Sequence, residues 1–306
     1  MNKWILVFSL MAASSLIAER QTTEMVLMES PDAFAFNKET GETNSFRCLQ
    51  EEMKQNGIKI VTLSSGKDVQ TPDAVFPNNW FSVHAEGDKV TLVLYPMLNA
   101  NRQAERPVDV LKETLAAEGI SINETVDLTH FEAQGKALEG TGSLVLDREN
   151  KIAYASLSPR TNREVLDVFC KALGYTPVTF TSVDEKGELI YHTNVIMSVG
   201  SRFAVLCRDC IATPYEKQKV ARALIKSGKK VLFISKEQMS GMCGNILEVK
   251  SESGETKIVM SDKAYESFTK KQLAQMRKYG TIVHANIDTI ETVSGSARCM
   301  LAEIFH

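Results

Sequence analysis

Five glycines divide this chain. Gly57, Gly119, Gly174, Gly228 and Gly280 each close an amphipathic stretch, and a β-rich run follows each at once. The runs are Ile58 to Val61, Ile120 to Ile122, Tyr175 to Val178, Val231 to Ile234 and Thr281 to Val283, and the glycines stand 62, 55, 54 and 52 residues apart. Glycine just past a helix supplies a left-handed residue without a Cβ penalty. Helix starts are marked as well, by Pro107 before Val108, by Thr161 before Asn162, and by Thr213-Pro214 as a cap followed by an N1 proline. Between helices lie strand pairs: Ser143 to Leu146 with Ile152 to Tyr154 across the polar turn Asp147 to Asn150, and Asn245 to Val249 with Lys257 to Met260 across Ser251 to Gly254. The unit is strand, strand, helix, strand, and a fixed period of this size signals a solenoid, propeller or array. Met25 to Met28 has no strand pair before it, and the apolar piece Arg298 to Phe305 has no helix after it. Completing the first unit with the last piece would close the ring and leave no open edge, so the expectation is a single closed α/β domain.

The 306 residues suffice for a sizeable core, and 43% hydrophobic with 24% charged residues is a globular composition. A formal net charge of −3 provides no broad footprint for nucleic acid or an anionic membrane, which leaves small-molecule chemistry as the default. Residues 1–18 have the layout of a secretory leader, and the alternative is an apolar first strand. The expected domains are therefore 1–18 as leader and 19–306 as one catalytic unit, cytoplasmic or exported according to whether the leader works. The six cysteines are irregularly spaced, so no disulfide framework is expected, and Cys207 and Cys210 read as core thiols.

Propellers gather loops at one end of a central channel. Four segments sit at corresponding points before β-runs: Val75 to Trp80, Ala137 to Gly142, Tyr191 to Val195 and Gly295 to Met300. Cys299 follows a Ser-Gly-Ser turn, where backbone N–H groups can favour a thiolate; the alternative is a buried thiol. His192 carries the side chain suited to proton transfer near neutrality, or else is a satisfied structural histidine. Glu139 precedes Gly-Thr-Gly and an apolar strand, an awkward place for a carboxylate without a partner. Asn78, Asn79 and Asn194 offer neutral amides suited to a planar, urea-like ligand, or form turns.

The repeat, together with the loops PNNWF, LEGTGS, YHTN and SGSARCM, resembles the guanidino-group-modifying superfamily of arginine deiminases, dimethylarginine dimethylaminohydrolases and amidinotransferases. The resemblance runs from about Thr23 to Phe305 and implies a five-bladed pseudo-symmetric α/β propeller of ββαβ units, the pentein fold. It also implies Cys299 as nucleophile, His192 as general acid/base and Glu139 as its partner, with Arg102 and Arg160 on a substrate α-carboxylate. Neighbouring Arg106 reads as a surface residue. No metal or organic cofactor is implied. Where arginine deiminases carry aspartates, this chain has Asn79 and Asn194, so the pattern leans toward a neutral ureido group. Within the family the chain is similar to bacterial citrulline-utilisation hydrolases. The expected reaction is citrulline to ornithine through a covalent thiol intermediate. The alternatives are an arginine or methylarginine deiminase, an amidinotransferase, and a silent amino-acid-binding propeller. A homodimer is expected on base rates alone.

Overall fold

The computed structural model describes residues 19–30, 42–64, 73–293 and 295–306. The proposed leader, residues 1–18, lies outside them. Among the described residues no helix is long and apolar enough to cross a membrane.

Among the described residues, fifteen strands form five three-stranded sheets. In chain order they are β1 (Met25–Ser30), β2 (Lys59–Ser64), β3 (Phe81–Glu86), β4 (Lys89–Leu94), β5 (Glu124–Asp127), β6 (Val145–Asp147), β7 (Ile152–Ser156), β8 (Thr176–Phe180), β9 (Met197–Val199), β10 (Phe203–Leu206), β11 (Lys230–Phe233), β12 (Leu247–Lys250), β13 (Thr256–Ser261), β14 (Thr281–Ala285) and β15 (Ala302–Ile304). Each sheet has one antiparallel and one parallel pairing about a central strand: β3-β4-β5, β6-β7-β8, β9-β10-β11, β12-β13-β14 and β15-β1-β2. The central strands are near-continuous apolar runs, such as Phe203-Ala204-Val205-Leu206, because both of their faces are covered. As expected, the C-terminal piece completes the first unit: β15 pairs antiparallel with β1, matching Met25 to Ile304 and Leu27 to Ala302.

The last two strands of each sheet are joined by a helical crossover: Glu42–Gln55, Val108–Ala117, Arg163–Leu173, Pro214–Lys226 and Lys270–Met276, with the short helices Ala100–Gln103 and Asp262–Ser267 preceding the second and fifth. In Arg163–Leu173, Val165, Leu166, Phe169 and Cys170 share one buried face and pack on Leu146, Ala153 and Ala155. Fully burying each large apolar side chain there contributes about 1.5–3 kcal/mol. The cap of this helix is Asn162, one residue beyond the expected Thr161, and its Oδ1 accepts from the N–H groups of Glu164 and Val165 at 2.9 and 3.4 Å. Thr213 caps the next helix, with Pro214 at its first position.

Several expectations need correction. Gly57, Gly119, Gly174 and Gly228 have positive φ, but Gly280 does not. It stands beyond its helix, where an added Cβ would lie 2.6 Å from the Thr256 carbonyl oxygen, so it is selected by close approach. The run Ile120 to Ile122 is irregular, and β5 begins at Glu124. Its apolar residues instead seal the core beside Leu111 and Leu115. Cys207 and Cys210 are fully buried, as core thiols would be, but they are joined in a disulfide. Arg106 is only partly exposed, held by Glu132 and by the Tyr95 carbonyl. Its chain emerges beside buried Arg102, so the position is less superficial than a run of charges suggests.

Candidate active site

Each sheet is entered through a short, buried segment that precedes its antiparallel outer strand. Pro77–Asn79 forms a 3-10 turn before β3, Gly140–Ser143 a helical turn before β6, Thr193–Val195 a 3-10 turn before β9, and Ala297–Met300 another before β15. A cavity of about 270 Å³ opens among these segments, lined by Asp73, Phe76, Asn79, Arg102, Arg160, Tyr191, His192, Val293, Gly295 and Cys299. Close packing of small residues makes this convergence possible. A Cβ on Gly142 would lie 2.5 Å from Asn79 Nδ2 and 2.8 Å from His192 Nδ1, and one on Gly140 would lie 2.2 Å from the Asn78 carbonyl oxygen.

Glu139 is fully buried at the start of the Gly-Thr-Gly turn. Its Oε1 accepts the Leu98 N–H at 3.1 Å, while Oε2 accepts from His192 Nε2 at 2.8 Å and from Arg160 Nη1 at 2.9 Å. Burial alone pushes its carboxyl up. The hydrogen bond and charge of His192, then the charges of Arg160 and Arg102, outweigh burial and hold it at about 2. Burial pushes His192 down, and the bond to Glu139 opposes this without cancelling it, so the imidazole is neutral near pH 7. An ionised Glu139 only accepts, which places the single imidazole proton on Nε2 and leaves the Nδ1 lone pair directed away from the carboxylate.

Cys299 is buried and lines the cavity. Its Sγ is met by the Nδ2 groups of Asn194 at 3.5 Å and Asn245 at 3.3 Å. The structure therefore brings Cys299, His192 and Glu139 to one place. Of the three asparagines singled out in the sequence, only Asn79 lines the cavity. Asn78 is buried behind it, with both amide atoms lacking a protein partner and its carbonyl accepting Thr141 Oγ1 at 3.3 Å. Asn194 lies beneath the sulfur, and Oδ1 has no protein partner.

The two arginines differ. Arg160 is about one quarter exposed, donates to Glu139 and lies 5.7 Å from the centre of the Tyr191 ring. Arg102 is buried, and its guanidinium is engaged by Glu105 Oε2 at 2.7 Å, Asn79 Oδ1 at 3.1 Å and the carbonyl oxygens of Asp73 and Phe76. Arg102 thus orders the Asn79 loop. Because a guanidinium can only donate, the bond from Arg102 fixes the Asn79 amide with Oδ1 toward Arg102 and Nδ2 beside His192, where Nδ2 has no protein partner.

Asn245 and Asp73 escaped the sequence reading. Asn245 is legible in hindsight, since the repeat demands a fifth loop before β12 and only four were selected. Asp73 precedes the Pro77–Asn79 turn with no local signal to distinguish it. Among the described residues, no group of three or more acidic, histidine or cysteine side chains is placed to hold a metal ion.

Residues 42–306 match the family model described as N,N dimethylarginine dimethylhydrolase, eukaryotic. A search of curated protein sequences gave no significant match. The fold is similar to that of ArgZ, described as an arginine dihydrolase from the ornithine-ammonia cycle in cyanobacteria, with a TM-score of 0.68 at 17% identity over 92% of this chain and 40% of that one. This chain thus spans less than half the length of ArgZ. The N-terminal domain of ArgZ bound to substrate gives 0.69 at 16% identity, over 92% of this chain and 98% of the domain. A dimethylarginine dimethylaminohydrolase bearing an S-methyl-L-thiocitrulline adduct gives 0.65 at 11% identity, over 92% of this chain and all of the other. At such identities the likeness is one of fold.

Proposed function

Because the chain belongs to the family described as N,N dimethylarginine dimethylhydrolase, eukaryotic, we propose that it is a cysteine-dependent hydrolase of carbon–nitrogen bonds at the planar carbon of a small ureido or guanidino amino acid. The convergence of Cys299 and His192 on one cavity, with Glu139 bonded to the imidazole behind, carries this reading. Our substrate of choice is citrulline. What supports it is the orientation of Asn79: Oδ1 is engaged by Arg102, so the amide presents a donor beside His192. A ureido oxygen accepts from such a donor, whereas a guanidinium has only donors of its own to set against it.

In this mechanism the neutral His192 takes the thiol proton through Nδ1, and Cys299 Sγ attacks the ureido carbon. Asn79 Nδ2 stabilises the oxyanion that develops. His192 returns the proton to the departing amine nitrogen, releasing ornithine and leaving a carbamoyl thioester on Cys299. Water activated by His192 then cleaves that bond, and the carbamate breaks down to ammonia and carbon dioxide. Glu139 keeps the imidazole in its reactive tautomer, and Arg160 at the opening holds the α-carboxylate. The same reading takes residues 19–306 as a single catalytic domain and its five sheets as blades of a closed propeller. Neighbouring contacts of β15 with β3, of β6 with β9 and of β9 with β12 support that arrangement.

A second reading, hydrolysis of arginine or a methylated arginine, is favoured by the family match and by the ionised carboxylate of Glu139. The test is to incubate the protein separately with citrulline, arginine and dimethylarginine, quantifying ornithine, citrulline and ammonia, with Cys299→Ala as control. Ornithine from citrulline, lost in the variant, is expected. Citrulline from arginine, with citrulline itself inert, would replace the first reading by the second.

A further inference from the structure

We propose that Asn245 is the hydrogen-bond donor that stabilises the Cys299 sulfur as its proton leaves for His192 and aims it into the cavity. The inference rests on the reading of Cys299 as the nucleophile, and it assigns a role that none of the four loop segments carries.

Asn245 sits in the short segment before β12, 2% exposed, and every heteroatom of its amide is accounted for. Oδ1 accepts the Arg298 backbone N–H at 2.9 Å. Nδ2 donates to the Asn194 carbonyl oxygen at 3.2 Å and to Cys299 Sγ at 3.3 Å. The backbone partners leave no choice of amide orientation, because an N–H can only donate and a carbonyl can only accept. The group facing the sulfur is therefore an N–H. Asn194 also points Nδ2 at the sulfur, at 3.5 Å, but no partner fixes its Oδ1.

A thiolate accepts such a hydrogen bond far better than a thiol, and charge-assisted bonds are about twice as strong as neutral ones. The donor is thus placed to meet the negative charge that develops on the sulfur when its proton is removed. The segment itself is immobilised. A Cβ on Gly244 would lie 2.2 Å from the Val195 carbonyl oxygen, so Asn245 is seated directly against the loop that carries His192 and Asn194. One amide therefore ties three successive entry segments together: its own, that of Asn194, and that of Arg298 and Cys299.

The test reads the sulfur itself and needs no substrate. Iodoacetamide alkylation of Cys299 is followed against pH in the full chain and in Asn245→Asp and Asn245→Ala, with Cys299→Ala defining the background from the other thiols and thermal melts confirming folding. In both variants the midpoint of the alkylation profile is expected to rise by about one pH unit or more. A rise in Asn245→Asp alone would assign the effect to carboxylate repulsion and overturn the proposal, as would profiles that superimpose on the parent. Should neither variant fold, NMR of the parent protein decides: the Asn245 side-chain amide resonances must move with the same midpoint as the Cys299 profile, and resonances that stay fixed overturn the proposal. Activity surviving in Cys299→Ala would refute the nucleophile assignment, yet would leave the alkylation result readable.

Discussion

His192 and Glu139 come from segments 53 residues apart and meet through a 2.8 Å hydrogen bond in a site from which water is largely excluded. The bond does two things. With Arg160 and the Leu98 N–H, it helps satisfy a carboxylate whose burial at the head of an apolar strand would otherwise be strongly destabilising. It also sets which imidazole nitrogen is free to exchange protons with the cavity.

Glu139→Gln removes the group that raises His192 against burial, so the titration midpoint of His192 should fall further below its ordinary value. Turnover should drop by at least ~10²-fold, the scale of a lost acid–base partner. NMR titration of the imidazole alongside steady-state assays checks both; an unchanged or raised midpoint would contradict the geometry.

Acid should destabilise the fold in two overlapping windows. His192 is lowered from 6.5, so the unfolded chain binds that proton more readily and stability declines as pH falls below about 6.5. Glu139 is lowered from 4.5 to about 2, so its contribution is complete above pH 4.5 and is lost as pH falls toward 2. Urea unfolding at a series of pH values should show a monotonic fall from pH 7 to pH 3; a flat profile would argue against both assignments.

Gly142→Ala should abolish turnover while leaving most of the fold intact. The new methyl group would overlap Asn79 Nδ2 and His192 Nδ1, displacing both, at a stability cost of about 1–3 kcal/mol. Circular dichroism and product assays distinguish this from global unfolding, and a fully active variant would mean that the two loops are not in register as described.

Glu19→Gln addresses a different part of the molecule. Glu19 is buried with Arg148 Nη1 at 2.7 Å, His84 Nδ1 at 3.0 Å, Lys151 Nζ at 3.0 Å and Tyr175 Oη at 2.6 Å. Removing its charge leaves the fully buried Arg148 without its nearer carboxylate partner, a change of about 3–5 kcal/mol. Chemical denaturation should show a loss of that order, with the product profile unchanged.

Much of this architecture was legible because the repeat is written in backbone requirements. Four of the five dividing glycines occupy left-handed positions, and the orphaned first and last strands solve each other through the β1–β15 pairing. Glu139 was legible because a carboxylate there is uncomfortable without a partner, and His192 because an imidazole suits proton transfer near neutrality. Sequence is silent on which end of a group is already engaged. Arg102 lines the cavity, yet no motif foretells that Glu105 and Asn79 bind its guanidinium. Asn78 looks equivalent to Asn79, but a turn of three residues points only one of them into the cavity. Asn245 carries no motif of its own, and its importance comes from the Arg298 N–H and Cys299 sulfur, both over fifty residues away. The Cys207–Cys210 disulfide is likewise set by local geometry rather than by cysteine spacing across the chain.

Covalent attachment of Cys299 to the ureido carbon is read by acid-quenching the protein during turnover of citrulline labelled at that carbon and taking intact and peptide masses. A labelled carbamoyl group is expected on the peptide containing Cys299 and none in Cys299→Ala. Ornithine release with no adduct on any quench time, or an adduct that persists in the variant, would contradict it.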